Sequence, residues 1–457
     1  MPASLDAFAR AVESDTGDPR LLSGEGTGMY ALGGRTPSLI ARPAGHEAAA
    51  RLLARADEAG LGVVPWGGGT GRRAGYPPER YEVALSTERM AGAVDFLKED
   101  LTAVVQPGMT VEALNRLTAP EGQTAGLDPP HPGRATVGGA IIAERSGPMR
   151  VRWGRARDRV MRLRAALAGG ATHTYGALVV KNVTGYDMNR LLAGSWGTLA
   201  VVTELAVRLY KAPERTGARA AGFATAEAAF AAAGRLMALP LFPLWVEAVD
   251  AGRIAALGER YPLPGPWCLA AAFGDFEEGL ADQLDRFEAL LSREGGQELR
   301  RLDDEETQRL GAALADQPGG DFAREDALAV RASARADELP RFARAAAEAA
   351  RRGGFRHAIG AHAGSGVLRA WLAPEERGVE PRAAWEAFAA LCRAGADPSR
   401  GRAVHVRLDA GPTELREAVA VWGEDGLDPA SLDLMRRIKR EYDPKRTLSP
   451  GRFLGRL

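Results

Sequence analysis

A chain of 457 residues exceeds the size at which a single hydrophobic core keeps growing, so two or three domains are expected. Its 59 basic and 59 acidic residues cancel, which argues against a partner held by global charge, such as nucleic acid. Apolar content of 46% and charged content of 26% are those of an ordinary soluble globular protein. Two cysteines, Cys268 and Cys392, exclude a disulfide framework and any four-thiolate cluster supplied by this chain alone. Both lie in apolar segments and read as buried, inert thiols.

The first residues lack a basic stretch followed by an apolar one, so no signal peptide is expected. A helical pattern over 47–60 leads to a short buried strand at Gly62-Val63-Val64. Further strands are expected at 83–85, 102–106, 178–180 and 199–202, with a helix after Thr110 as N-cap. The apolar run from Met237 to Val246 is too short to span a bilayer and holds Pro240 and Pro243. A cytoplasmic protein is expected, placed at the inner membrane only through partners.

Past Pro213 the rhythm changes. A strand at 218–224, a helix capped by Thr225, strands at 244–249 and 267–273 and a helix over 276–294 make most of a β-α-β-β-α-β unit. The order then repeats: strand 328–331, helix 337–352, strands 355–359 and 367–372, helix 382–394, strand 403–408. Two such ferredoxin-like halves join into one large antiparallel sheet. A last helix starts at Asp428-Pro429 and ends at Tyr442, followed by a turn over 447–452. The fold class is α+β, with domains at 1–213 (core 36–213), 214–410 and a helical tail over 411–457.

Three glycine-rich segments punctuate the first half. They are Pro65-Trp66-Gly67-Gly68-Gly69-Thr70-Gly71, then Thr136-Val137-Gly138-Gly139 ending in Ser146-Gly147, then Lys181-Asn182-Val183-Thr184-Gly185-Tyr186-Asp187 running on to Gly194-Ser195-Trp196-Gly197-Thr198-Leu199. Repeated glycine marks backbone that turns sharply or lies against something. No Lys-Ser/Thr follows the first segment, so it is not a Walker A loop. Gly69-Thr70-Gly71-Arg72-Arg73-Ala74 fits a dinucleotide fingerprint in letters only. Gly75-Tyr76-Pro77-Pro78 cannot supply the helix N-terminus that motif requires. What remains is an anion nest of consecutive N–H groups, or a plain surface turn.

Taken together these segments, with the tail Asp443-Pro444…Pro450-Gly451-Arg452, resemble the PCMH-type FAD-binding oxidoreductases of the vanillyl-alcohol oxidase superfamily. Within it they resemble the branch of glycolate oxidase and the D-2-hydroxyacid dehydrogenases, nearest the FAD-binding subunit of glycolate oxidase. The resemblance implies FAD, with Pro65, Trp66 and the amides of Gly67, Gly68, Gly69, Thr70 and Gly71 at its diphosphate. It places Gln106, Pro107 and Gly108 beside the adenine half, and Val202 near the adenine through its main chain. Thr136, Gly138, Gly139, Ser146 and Gly147 would line the ribityl chain and isoalloxazine. The first loop has no His or Cys for covalent attachment, so the FAD is expected to be non-covalent.

The 2-hydroxyacid dehydrogenases of this family carry His-x-Gly-Asp-Gly-Asn-Leu-His, both histidines binding a metal that polarises the substrate hydroxyl. Here the stretch reads His362-Ala363-Gly364-Ser365-Gly366-Val367-Leu368-Arg369, and no Glu-His-Gly motif stands near His405. A guanidinium is not a metal ligand, so no metal site is expected. Arg369 then pairs with a carboxylate, of the substrate or of its own domain. Lys181 and Asn182 fall in the segment the family places near the flavin, where a lysine stabilises charge on a reduced ring; the alternative is an exposed strand-end lysine. Seven arginines between Arg150 and Arg164 read as solvated or paired side chains, or as a docking surface.

Three readings stay open: the FAD-binding subunit of a glycolate-oxidase-like complex, a free-standing metal-independent hydroxyacid or alcohol oxidase, and a scaffold with little flavin function. The resemblance implies a small 2-hydroxyacid substrate, a second FAD-containing catalytic subunit and an iron–sulfur subunit as partners.

Overall fold

A computed structural model describes residues 3–179, 185–376, 378–394 and 404–457. They fall into two compact units. One gathers residues 1–146, 155–212 and 427–457; the other gathers 147–154 and 213–426.

The first unit holds two main sheets. The smaller is built from β1 (Leu22–Ser23), β2 (Leu39–Ala41), β3 (Val63–Trp66) and β4 (Val83–Ser86), in the order β1-β2-β4-β3. β2 and β3 both run parallel to β4, which requires crossovers. The β2–β3 crossover is the helix His46–Glu58, whose buried Leu52, Leu53 and Ala56 cluster with Leu39, Ala41, Val63 and Val83 of the sheet. β3 is the edge strand, and it leads directly into the first glycine segment.

The second sheet is antiparallel, in the order β5-β6-β10-β8-β9. It comprises β5 (Ala93–Leu97), β6 (Thr102–Val105), β8 (Val160–Ala166), β9 (Thr172–Gly176) and β10 (Val201–Arg208). A short pair, β7 (Gln123–Thr124) with β11 (Tyr210–Lys211), belongs to the same unit. Thr110 caps the helix Val111–Thr118 by accepting from the Ala113 N–H.

The strand expected at 178–180 is replaced. Leu178 and Val179 form a bend, and the strands are β8 and β9. β8 is hidden in the arginine run. Arg162 and Arg164 alternate with buried Leu163 and Ala165, and both arginines face Glu204 of β10, at 3.0 and 3.9 Å.

The second unit is built on one eight-stranded antiparallel sheet, ordered β15-β12-β14-β13-β17-β18-β16-β19. Its first half comprises β12 (Arg215–Phe223), β13 (Trp245–Asp250), β14 (Trp267–Asp275) and β15 (Gln297–Leu302). Its second half comprises β16 (Leu328–Ser333), β17 (Phe355–His362), β18 (Val367–Pro374) and β19 (His405–Ala410). In each half the order is fourth, first, third, second strand, so two ferredoxin-like halves meet through β13 and β17. Three Cα pairs make that seam: Glu247 with His362, Ala248 with Ala361, Val249 with Gly360.

One face is covered by the helices of the two halves, for which the packing of Phe287 against Phe273 at 5.6 Å is representative. The opposite face, bearing Trp245, Val249, Cys268 and Ala270, packs against Leu310 and Leu314 of the helix Asp304–Ala315. Burial pushes both thiols, Cys268 and Cys392, up to about 12, so they stay protonated.

The unit boundaries differ from the expected division at 213 and 410 in two places. Met149 and Trp153 join the cluster around Trp245, which carries 147–154 into the second unit. Residues 411–426 fold back on β19, where Leu408 N–H donates to Val421 and Arg407 stands over Trp422.

Candidate functional site

In the first unit the end of β3 opens onto a cleft. Pro65, Trp66, Gly67, Gly68, Gly69, Thr70 and Gly71 line one wall, and Pro107, Thr136, Gly138, Gly139 and Val202 line others. Among the described residues, no main-chain N–H from Gly67 to Gly71 donates a hydrogen bond. Polar groups withdrawn from the sheet in such a row are bonded to water or await an acceptor.

The glycines are required by packing. A Cβ on Gly68 would run into the Arg134 carbonyl oxygen, and one on Gly138 would lie 2.5 Å from the Pro107 Cβ. Gly69 has φ +68°, a region costly for a residue with a Cβ. Thr136 caps the short helix Val137–Ile142, its hydroxyl accepting from the Gly139 N–H at 3.1 Å.

Four residues expected at the cofactor stand elsewhere. Gln106 uses its side-chain oxygen to accept from the Gly92 N–H, at 3.0 Å. Gly108 packs against the Thr87 and Met90 carbonyls. Ser146 accepts from the Ala156 N–H at 3.1 Å. Gly147 begins the segment that belongs to the second unit. None of the four lines the cleft. Lys181 and Asn182 lie outside the described residues.

Trp196, Gly197, Arg145 and Arg452 also line the cleft, beyond the residues the sequence points to. Trp196 carries a signal, because it stands within the Gly-Ser-Trp-Gly run. Its φ of +56° is unusual for a bulky residue and is held by an N–H bond to Ile142. Such a conformation persists where the surroundings over-determine it, and here it sets the indole against the glycine loop.

The second unit holds the other residues of interest. Glu247 and His362 face each other across the β13–β17 seam, with His362 Nδ1 2.5 Å from Glu247 Oε1 and both side chains buried. Burial holds the His362 imidazole well below its usual pKa, reinforced by Arg369, Arg331, Arg150 and Arg253. The ring is therefore neutral where it meets Glu247. Arg369 is buried over Trp371 at 5.1 Å, its Nη2 donating to Leu314 O at 2.9 Å and Nη1 to Ala315 O at 3.4 Å. Among the described residues no group of three or more His, Cys, Asp or Glu is arranged to hold a metal ion.

A base whose folded pKa is depressed binds fewer protons folded than unfolded, so stability is lost as pH falls below the unfolded value of about 6.5. Unfolding free energy should drop between pH 7 and 5, and His362→Asn should flatten that slope. A slope identical in the variant would contradict the buried neutral pair.

The cleft, walled by glycine and faced by a row of amides that donate to no protein acceptor, suits a bound anionic group. A FAD-binding domain model matches residues 37–176, and an FAD-linked oxidase C-terminal domain model matches 212–396 and 418–453. The chain belongs to the FAD-linked oxidoreductase family. It is 30% identical to an uncharacterized FAD-linked oxidoreductase of Mycobacterium tuberculosis, over 92% of this chain and 91% of the relative. It is 26% identical to the glycolate oxidase subunit GlcD of Bacillus subtilis, over 92% and 89%. The solved structure of p-cresol methylhydroxylase with substrate bound shares the fold, with a TM-score of 0.74 at 15% identity, over 99% and 97% of the two chains. FAD is thus the cofactor, and the row of amides with its glycine wall fits a diphosphate-bearing ligand. Among the described residues no helix is long and apolar enough to cross a membrane.

Proposed function

We propose that this chain is the FAD-binding subunit of a glycolate-oxidase-like complex, acting on a small 2-hydroxyacid or relaying its electrons. The observation that carries the reading is kinship to GlcD along nearly the whole chain, joined to Arg369 standing where a second metal-binding histidine is expected. Amides from Gly67 to Gly71 bind the diphosphate, Thr136, Gly138 and Gly139 border the flavin half, and Val202 borders the adenine. Bound FAD supplies the hydride acceptor. Arg369 is held within its own unit by the Leu314 and Ala315 carbonyls, and Lys181 and Asn182 are assigned to the flavin side of the cofactor. A second FAD-containing subunit and an iron–sulfur subunit take the electrons onward, since two separate cysteines cannot hold a cluster.

The test is spectroscopic. The purified chain should be yellow and should release its flavin into the filtrate on denaturation, as a non-covalent cofactor does. Under anaerobic conditions glycolate or D-lactate should leave it oxidised until the partner subunits are added. Bleaching by either acid with the chain alone would overturn the subunit reading in favour of a free-standing oxidase. A colourless, folded chain that still assembles would favour a scaffold.

A further inference from the structure

The C-terminal tail does more than close the first unit. Its bridge between Leu448 and Val63 is parallel, with Val63 N–H donating to Thr447 O at 2.7 Å and Ser449 N–H to Val63 O at 2.8 Å. The tail therefore adds to the free edge of β3, the strand that feeds the glycine loop. It then binds the chain that continues from that loop. Glu79 N–H donates to Pro450 O at 2.9 Å, and Tyr76 N–H to Arg452 O at 3.2 Å. Arg452 Nη2 donates to Ala74 O at 2.9 Å and Nε to Tyr76 O at 3.5 Å. With 8% of its surface exposed, the Arg452 side chain is buried, and it lines the FAD cleft.

A diphosphate carries two negative charges, and the loop from Gly67 to Gly71 offers only neutral N–H groups. A guanidinium is the side chain best shaped for phosphate oxygens, because its planar fork presents several donors in fixed geometry. Three arginines line the cleft: Arg72, exposed; Arg145, half-buried; and Arg452, buried. Arg452 is oriented by two carbonyls of the loop's own continuation, so little side-chain freedom remains to be lost on binding.

We propose that Arg452 is a cofactor-binding residue, delivered by the C-terminal tail to the FAD diphosphate opposite the Gly67–Gly71 amides. The inference rests on the FAD assignment and adds a cation to it. Tail docking and FAD binding are then linked: whatever loosens the tail weakens the cofactor, and FAD in turn tightens the tail.

The experiment titrates apoprotein with FAD and, separately, with riboflavin, which has no phosphate, following flavin fluorescence. Arg452→Gln should raise the FAD Kd about 10- to 100-fold, the loss of a charge-assisted bond, while the riboflavin Kd stays within about twofold. Arg452→Lys keeps the charge but not the fork and should fall between. It also serves if the glutamine variant fails to fold, as read by circular dichroism of the apoprotein. Amide hydrogen exchange over residues 443–452 should slow when FAD is added to the wild type. An unchanged FAD Kd would overturn the proposal, and so would equal weakening of FAD and riboflavin, which marks a structural role. A wild-type chain binding neither ligand would instead sink the cofactor assignment itself.

Discussion

Gly68→Ala is expected to abolish FAD retention while leaving a folded protein. The added methyl would occupy the position of the Arg134 carbonyl oxygen, and that carbonyl belongs to main chain that cannot swing aside. Arg134 is followed by Ala135, whose carbonyl bonds the Val111 N–H, and by Thr136, the cap of the helix behind it. Relief must come from the glycine loop, which makes no main-chain N–H bonds of its own between Gly67 and Gly71 and is the softer of the two walls. Moving it by about an ångström breaks the register of the amides with the diphosphate. Two or three charge-assisted bonds at about 1.5–3 kcal/mol each correspond to a loss of affinity beyond about a hundredfold. The variant should elute colourless, bind FAD only at concentrations far above those saturating the wild type, and keep its apo unfolding midpoint within a few degrees. A yellow Gly68→Ala protein with wild-type Kd would show that the loop is not the diphosphate site. Gly122, where an added Cβ would meet no atom within 4 Å but φ is +62°, gives a matched control away from the cleft.

How much of the molecule is legible in its sequence depends on the range of the interactions. Most of the duplicated second unit is readable because seven of its eight strands are apolar or half-apolar runs of six to nine residues; β15, Gln297–Leu302, is too polar to be seen. Two helices also announce their starts through local caps, Thr225 accepting from the Ala228 N–H and, in the tail, Asp428 from the Ser431 N–H. The glycine loop is readable because its constraint is local: only glycine tolerates those contacts. β8 is not, since Arg162 and Arg164 break the apolar signal and are satisfied by Glu204, about forty residues away. The placement of Gln106 and Ser146 away from the cleft depends on pairing with Gly92 and Ala156, which no local pattern announces. The Glu247–His362 pair spans 115 residues and arises only once two halves of a sheet meet. Arg452 is visible as part of a tail motif, but the Ala74 and Tyr76 carbonyls it uses lie 378 and 376 residues away.

Asp443→Ala is the second change expected to have a large effect, and it acts on the same tail from the other end. Asp443 is completely buried at the end of the helix Pro429–Tyr442, where its carboxylate accepts from Thr447 N–H at 2.8 Å and Leu448 N–H at 2.7 Å. It also receives Lys439 Nζ at 2.6 Å, and that ammonium reaches on to Thr198 O at 2.7 Å and Leu448 O at 2.9 Å. Removing the carboxylate leaves two buried amides and a buried cation without their acceptor, a change that costs about 3–5 kcal/mol. Burial already lowers the Lys439 pKa, and without Asp443 the attraction that opposes this lowering is gone, so it falls further. A lysine depressed in the folded state binds fewer protons there than in the unfolded chain, so the variant should regain stability as pH rises toward about 10.4. Urea unfolding at pH 7 and 9.5 reads both effects. The double variant Lys439→Met, Asp443→Ala should recover part of the loss by removing the orphaned charge, which a double-mutant cycle isolates. Because Leu448 and Arg452 hang from this corner, the single variant should also lose FAD more readily than its residual stability alone dictates. A cycle showing simple additivity, with FAD affinity untouched, would mean that the helix end and the cofactor loop are held independently.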